Sequence, residues 1–277
     1  MSIARALVLG GGGVLGISWE TGVLAGLAGE GVEVTDAELI VGTSAGATVA
    51  AQVSTGAVQG LYRAQIDQTA AREPKLDVDL PAILKQIGDI VAHRQSDPEA
   101  ARREIGRIAL ECDRVPESER RALIGERLSV HDWPERRLAV PAIEARTGRF
   151  TVFDRESGVG LVEAVAASSA IPLIWPAVTI GSERFYDGGI RSATNVDVAR
   201  HARRRLILAP LRMTDMADCI PQADDQDDLW IEPDERSSMV IGADPMNPDF
   251  RPAAARAGFA QGVRTAEVVR SFWNDGT

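Results

Sequence analysis

The chain reads as an α/β protein whose sheet has parallel neighbours, and three observations predict it. Two short apolar runs, Ala6–Leu9 and Leu39–Val41, each end in a glycine turn and pass directly into a helical pattern. Strand, glycine turn and helix, repeated in that order, give parallel strands joined by crossovers. A further apolar run, Leu206–Pro210, adds another buried strand late in the chain. Both glycine turns fall at the carboxyl ends of strands, where such sheets build their sites.

The first strand enters Gly10-Gly11-Gly12-Gly13-Val14-Leu15-Gly16. A helix follows, with Trp19, Val23, Leu24 and Leu27 at helical spacing and Gly29 and Gly31 near its end. The second strand enters Gly42-Thr43-Ser44-Ala45-Gly46, and Ala47 to Ala51 continue as a helix. From about 60 to 130 the charges become dense and the apolar spacing helical, which predicts a helical insert. Asp79-Leu80-Pro81 and Asp97-Pro98 read as helix starts, and a third helix is expected from Glu119 to Leu128.

Strands resume at Leu138–Ala145 and Phe150–Phe153, which form a hairpin around Thr147-Gly148. Leu161–Ala167 is helical and runs into the small-residue block Ala167-Ser168-Ser169-Ala170-Ile171-Pro172, which suits close packing. A second hairpin, Ala177–Ile180 and Arg184–Tyr186, delivers Asp187-Gly188-Gly189. The stretch from about 214 to 249 reads as irregular and acidic, with Asp224, Asp225, Asp227 and Asp228 in a solvated loop. Ala253–Trp273 is expected to form a terminal helix.

With 277 residues, 45% of them hydrophobic, the sequence suits a single domain over 1–277. A net charge of −10, from 40 acidic and 30 basic residues, argues against nucleic acid as a partner. No run approaches the length of a membrane span, and the first residues lack a signal-peptide pattern. A cytoplasmic location is therefore expected, with any membrane contact peripheral. Cys112 and Cys219 give neither a disulfide framework nor metal-ligand spacing, so both are expected reduced and buried and no metal is expected.

The chemistry turns on the two glycine turns. G-x-S-x-G between a strand and a helix is the context that lifts a serine out of a sheet edge, since glycines tolerate the tight turn. Ser44 is thereby the candidate nucleophile, with a capping serine at an ordinary turn as the plain alternative. Gly11, Gly13 and Gly16 also satisfy G-x-G-x-x-G, and Asp36, 20 residues past Gly16, falls where a ribose-binding acid would. An NAD(P) site therefore competes with an oxyanion hole built from the same loop. The hydrolase reading uses both turns, whereas the cofactor reading leaves the second unexplained.

A serine needs a base. His93 falls in the helical insert, His131 in a loop, and His201 at a basic helix end (Ala199–Arg205). Only His201 fits the chain order Ser, acid, His of an α/β-hydrolase triad. Asp187 ends a strand before two glycines, and partial burial near Ser44 would raise its basicity. Alone, Asp187-Gly188 is also a common hairpin turn signal.

Taken together, four blocks in order resemble the patatin-like phospholipases: Gly11-Gly12-Gly13-Val14-Leu15-Gly16, Gly42-Thr43-Ser44-Ala45-Gly46, Ala167-Ser168-Ser169-Ala170-Ile171-Pro172 and Asp187-Gly188-Gly189. The resemblance covers about residues 5 to 210. It implies a three-layer α/β/α sandwich with a mostly parallel central sheet. It also implies a lipid acyl hydrolase without cofactor, a Ser44–Asp187 dyad, and an oxyanion hole from Gly11, Gly12 and Gly13. Gly42, Gly46, Gly188 and Gly189 are the supporting turn residues. Leu15 departs from the pattern, since the family usually has Arg or Lys there. A non-catalytic lipid-binding relative would keep the same fold.

Overall fold

The computed structural model describes residues 3–71, 74, 78–94, 96–112, 114–211, 227–242 and 244–274. In chain order the elements are β1 (Ile3–Leu9), α1 (Gly13–Gly29), β2 (Leu39–Gly42), α2 (Ala45–Thr55) and α3 (Val58–Ile66). Then come α4 (Leu80–His93), α5 (Pro98–Leu110), α6 (Glu117–Arg127), β3 (Arg137–Glu144), β4 (Phe150–Phe153) and α7 (Leu161–Ser168). The chain continues through β5 (Val178–Ile180), β6 (Glu183–Asp187), β7 (Ala202–Leu208), β8 (Asp227–Ile231), α8 (Glu235–Ile241) and α9 (Arg251–Asn274).

Seven strands follow the order β5-β6-β3-β2-β1-β7-β8, and β4 also pairs with β3. Five of them, β3-β2-β1-β7-β8, are mutually parallel. The antiparallel pairs lie at one end, where β3 pairs with β4 and β6 and β6 pairs with β5. β3 is thus a hinge between two modes. Its first residues run parallel to β2, and its last ones hold the hairpin that ends at Asp187, paired with Ala142.

Side-chain alternation sends the two faces into separate cores. Leu7, Leu9, Ile40, Val140, Ala142, Leu206 and Leu208 point to the face covered by α1, α2, α7 and α9. On the other face, Ile143, Ala145 and Tyr186 pack under α4 and α5. Ala6, Val8, Val41 and Ile207 lie beneath the short 3-10 turn Val196–Ala199. The layers are α/β/α, with the second helical layer confined to the antiparallel end.

The helices expected at about 60–130 all form, with Asp79 and Asp97 capping α4 and α5 through their side chains. They distribute over both faces: α3 packs on α1 and α9, α4 and α5 cover the second face, and α6 packs on α7.

α1 and α9 cross at backbone contact. A methyl group on Gly22 or Gly26 would overlap the carbonyls of Ala255 or Phe259. One on Gly258 or Gly262 would overlap those of Trp19 or Val23. Gln261 locks the crossing, accepting from Trp19 Nε1 at 3.1 Å and from Ser237 Oγ at 2.9 Å.

Three expectations need correction. The acidic stretch is not irregular where described. Asp227 and Asp228 lie on β8, and Asp228 forms a bidentate pair with the buried Arg205 at 2.6 and 2.7 Å. Asp224, Asp225 and Cys219 lie outside the described residues. The basic run Arg203–Arg205 is part of β7 rather than a helix end, because its charges are answered across the strand pair by Asp227 and Asp228. Cys112 is partly exposed rather than buried. Among the described residues no helix is long and apolar enough to cross a membrane.

Candidate active site

β2 ends against α2, and the turn between them forces Ser44 to φ 54°, ψ −114°, a backbone region that costs a non-glycine residue energy. The flanking glycines make this turn possible. A methyl on Gly46 would overlap the Leu9 carbonyl, and one on Gly42 would press on Ala47 Cα and Ala50 Cβ at 2.7 Å. The strained amide of Ser44 is not left orphaned: it donates to Ser168 Oγ at 3.0 Å. The small-residue block that closes α7 thus braces the turn, as close packing there suggested.

Asp187 arrives on the last residue of β6. Its amide donates to Ala170 O at 3.0 Å, which ties it to the same small-residue block. Ser44 Oγ donates to Asp187 Oδ2 at 2.7 Å, and Gly189 N–H donates to Oδ1 at 2.7 Å. Gly188 crosses so close to Pro141 that a methyl would overlap its carbonyl. Both side chains are buried, Ser44 at 6% and Asp187 at 3% exposure, so the pair is shielded from bulk water. Burial pushes the Asp187 carboxyl up to about 7, against the opposing pull of the Ser44 and Gly189 hydrogen bonds and the charge of Arg120.

Asn195, absent from the sequence reasoning, braces the two turns together. It sits in the left-handed region at φ 49°. Its Nδ2 donates to Thr43 Oγ1 at 3.2 Å, Gly188 O at 3.1 Å and Ser192 O at 2.9 Å. Only the tolerance of asparagine for this backbone region could have flagged it.

The glycine loop approaches Ser44 from β1. Gly11 lies against it, since a Cβ there would sit 3.6 Å from Ser44 Cβ. Its N–H donates to Ala193 O at 2.8 Å, so that donor is occupied. The N–H groups of Gly12 and Gly13 make no hydrogen bond among the described residues, nor does that of Ala45, the first of α2. Gly13 holds φ +62°, a left-handed turn that redirects the backbone into α1. Leu15 is fully buried in the apolar core, so the loop carries no cation. A cation comes instead from α6: the buried Arg120 stacks 3.8 Å over Trp175, reaches Ser169 Oγ at 3.4 Å, and faces Asp187 electrostatically.

The competing residues fall elsewhere. Asp36 precedes β2, at the amino end of the sheet, where Arg5 holds it at 3.5 Å. It is therefore at the opposite end of the strands from Gly11, Gly13 and Gly16, and the geometry of a dinucleotide fold is not formed. His93 ends α4 and bonds its own helix, and His131 bonds Gly125 O. His201 borders a cleft with Ile3 and Leu39 at the amino ends of the strands, away from Ser44, so the triad alternative is not assembled. Among the described residues no histidine contacts Ser44 or Asp187, and no cluster of three or more His, Cys, Asp or Glu side chains is placed to hold a metal.

Two clefts meet at Ser44. One is apolar, about 100 Å³, and lined by Leu80, Leu84, Ile171, Ile190, Leu211 and Met246. The other is a narrow neck of about 20 Å³ between Arg120, Arg127, Ser169 and Trp175.

A family model described as patatin-like phospholipase matches residues 7–200. No curated protein matches the chain. Among solved structures, VipD from Legionella pneumophila aligns at 12% identity and a TM-score of 0.45, over 97% of this chain and 67% of that one. The type III effector protein ExoU aligns at 16% identity and a TM-score of 0.42, over 97% of this chain and 53% of that one. The chain thus spans about half the length of the second structure.

Proposed function

The chain belongs to the patatin-like phospholipase family, and on that premise we propose that it is a serine hydrolase of lipid carboxylic esters working through a Ser44–Asp187 dyad. The observation that carries this reading is the 2.7 Å hydrogen bond from Ser44 Oγ to a carboxylate whose burial brings it to about 7. A carboxyl at its ordinary value is too weak a base for a serine, whereas one poised near neutrality is matched to the task.

In the first step Ser44 Oγ attacks the ester carbonyl carbon while its proton passes to Asp187 Oδ2. The carbonyl oxygen becomes an oxyanion, and the N–H groups of Gly12 and Gly13 are the donors we assign to it. As the tetrahedral species collapses, the alcohol leaves with the proton from Asp187, and the acyl group stays on Ser44. Water then gives a proton to Asp187 and its oxygen to the acyl carbon. Collapse releases the fatty acid and returns the proton to Ser44 Oγ. The apolar cleft that includes Leu80 and Leu84 of α4 suits the acyl chain. The reaction is expected to need no metal or organic cofactor. Its setting is expected to be cytoplasmic, with peripheral contact at a lipid surface.

A fluorophosphonate probe tests the reading. Peptide mapping is expected to find the label on Ser44, and Ser44→Ala is expected to lose both labelling and ester hydrolysis. A labelled protein with the probe elsewhere, or an active Ser44→Ala variant, would sink it. Wild-type protein that hydrolyses no acyl ester would instead favour the non-catalytic lipid-binding alternative.

A further inference from the structure

Releasing an acyl group from Ser44 sets a problem that loading it does not. The apolar cleft beside Ser44 is about 100 Å³, and an acyl chain that fills it closes that side to water. The water that ends the reaction then needs another way in.

A second way exists. The narrow neck at Ser44 shares Val14, Ile17, Thr48 and Arg127 with a wider cavity of about 160 Å³. That cavity is bounded by α1, α2, α3, α6 and the start of α9. The exposed residues Thr69 and Glu126 line the cavity but not the neck, so it meets solvent away from Ser44. The neck itself measures about 20 Å³. About 10–15 Å³ is the least that holds a water, so the neck passes one molecule at a time and excludes anything much larger. The cavity behind it has room for several waters.

Two buried polar atoms along this path await such a guest. Ser44, Thr48 and Gln52 succeed one another at intervals of four, from the N-cap of α2 inward. Thr48 is 1% exposed and lines both spaces. A threonine on a helix commonly returns its hydroxyl to the carbonyl four residues back. Thr21, Thr55 and Thr265 do so, at 2.7, 3.2 and 3.0 Å. Thr48 does not, and its Oγ1 has no hydrogen-bond partner among the described residues. Gln52 is also buried, and its Nε2 donates to Arg127 O at 2.8 Å. That bond fixes the amide and leaves Oε1 as an acceptor, again without a partner among the described residues. Buried polar atoms are as a rule satisfied, by protein or by ordered water. An anion would meet Gln52 oxygen to oxygen, whereas a water brings two donors and two acceptors and fits the neck.

We propose that the cavity and neck conduct the hydrolytic water to the acyl-enzyme, with Thr48 and Gln52 as positioning residues along the way. The proposal rests on Ser44 carrying the acyl group, as the proposed function has it. Thr48, one helical turn from Ser44, holds the last water before the reaction. The neck also passes Arg120, whose charge faces Asp187, so the water arrives beside the base. Its oxygen bonds the acyl carbon as one of its protons passes to Asp187 Oδ2. The bond from the acyl carbon to Ser44 Oγ then breaks, the fatty acid leaves with the new oxygen, and the proton moves from Asp187 to Oγ. The two reactants thus enter by different doors, the acyl chain by the cleft and water by the neck.

The test follows acylation and deacylation separately. The purified full chain is mixed with nitrophenyl oleate or nitrophenyl acetate, and nitrophenol release is read beside the Ser44 adduct, by rapid quench and intact mass. Thr48→Val removes the hydroxyl and keeps the shape. It is expected to slow loss of the oleoyl group at least tenfold and to leave acylation within twofold of wild type. An acetyl group is too short to fill the apolar cleft, so water reaches it from that side. Its loss is expected to slow less than twofold. Thr48→Ser is expected to restore oleoyl release. Should the valine variant not fold, Thr48→Ala makes the same deletion and is read in the same way. Unchanged oleoyl release, or equal slowing of oleoyl and acetyl release, overturns the water route and leaves the nucleophile standing. Acylation that falls as far as deacylation does the same, since Thr48 then only supports the fold. Wild-type protein that neither forms an adduct on Ser44 nor releases nitrophenol overturns the hydrolase reading itself, and the route with it.

Discussion

The backbone N–H of Ser44 is bonded to the hydroxyl of Ser168, 124 residues away, so the strained turn at Ser44 is held by a side chain from another helix. Ser168 is fully buried, and no water can replace its oxygen without rearrangement. Ser168→Ala is expected to cost about 1–3 kcal/mol of stability, the cost of a buried amide left without an acceptor. It is also expected to lower kcat more than it raises KM, because the hydroxyl of Ser44 loses its fixed bearing. Urea unfolding beside steady-state kinetics would check both, and an unchanged kcat would refute the bracing role.

Asp187 should govern the pH profile. Its carboxyl is raised by burial to about 7, and only the ionised form accepts a proton from Ser44. The expected kcat/KM profile rises through pH 7 and levels above it. Stability runs the other way. The folded value lies above the unfolded one of about 3.9, so the folded state binds the extra proton. The stabilising contribution of that proton is complete below about pH 4 and is lost as pH rises through 7. Asp187→Asn cannot ionise. Its Tm is expected to gain on that of wild type between pH 5 and pH 8, while activity disappears. A constant difference in Tm across that range would contradict the assignment.

Asn195 offers a sharp substitution. Its Nδ2 faces three oxygens, those of Thr43, Gly188 and Ser192. Asn195→Asp keeps the shape and sets a carboxylate oxygen against all three. A loss of about 3 kcal/mol is expected, near the upper end for a buried polar mismatch. Asn195→Gly keeps the left-handed backbone without the repulsion and should retain more stability, as parallel thermal melts would show.

Glycines in different settings should respond with opposite signs. Gly88 lies on the exposed side of α4 with nothing within 4 Å of an added methyl, so Gly88→Ala should stabilise by about 0.4–1 kcal/mol. Gly26→Ala drives a methyl into the Phe259 carbonyl and is expected to destabilise by about 1–3 kcal/mol through forced separation of α1 and α9. Equal effects in chemical denaturation would refute the close crossing.

How much of this was legible in the sequence depended on range. Ser44 and the glycines around it stood out because steric demands at a tight turn fix residue types at short spacing, whereas Asp187, an ordinary hairpin-turn signal by itself, stood out only through the resemblance of four blocks in order to a known family. The strand–turn–helix order at β1 and β2 was legible for the same steric reason. Contacts between distant segments were not. Nothing near Gly11 announces that Ala193 takes its N–H, and nothing near Asp228 announces Arg205 on the neighbouring strand. Arg120 and Arg127 read as ordinary charges of an amphipathic helix, and only packing against α7 turns that helix toward the site. The pairs Gly22–Gly26 and Gly258–Gly262 repeat at four-residue spacing, a signal of close helix contact that was present but went unread.

The crossing of α1 and α9 also sets a schedule. The loop that feeds α1 leaves the ribosome well before the surface that seals this helix, which is translated some 240 residues later, as the bond between Trp19 and Gln261 records. An apolar helix must wait while some 240 further residues are made, with one flank unsheltered, a natural client for a chaperone. Under the proposed function, esterase competence should therefore switch on abruptly, after residue 262 has cleared the exit tunnel, and not build up gradually as the sheet forms.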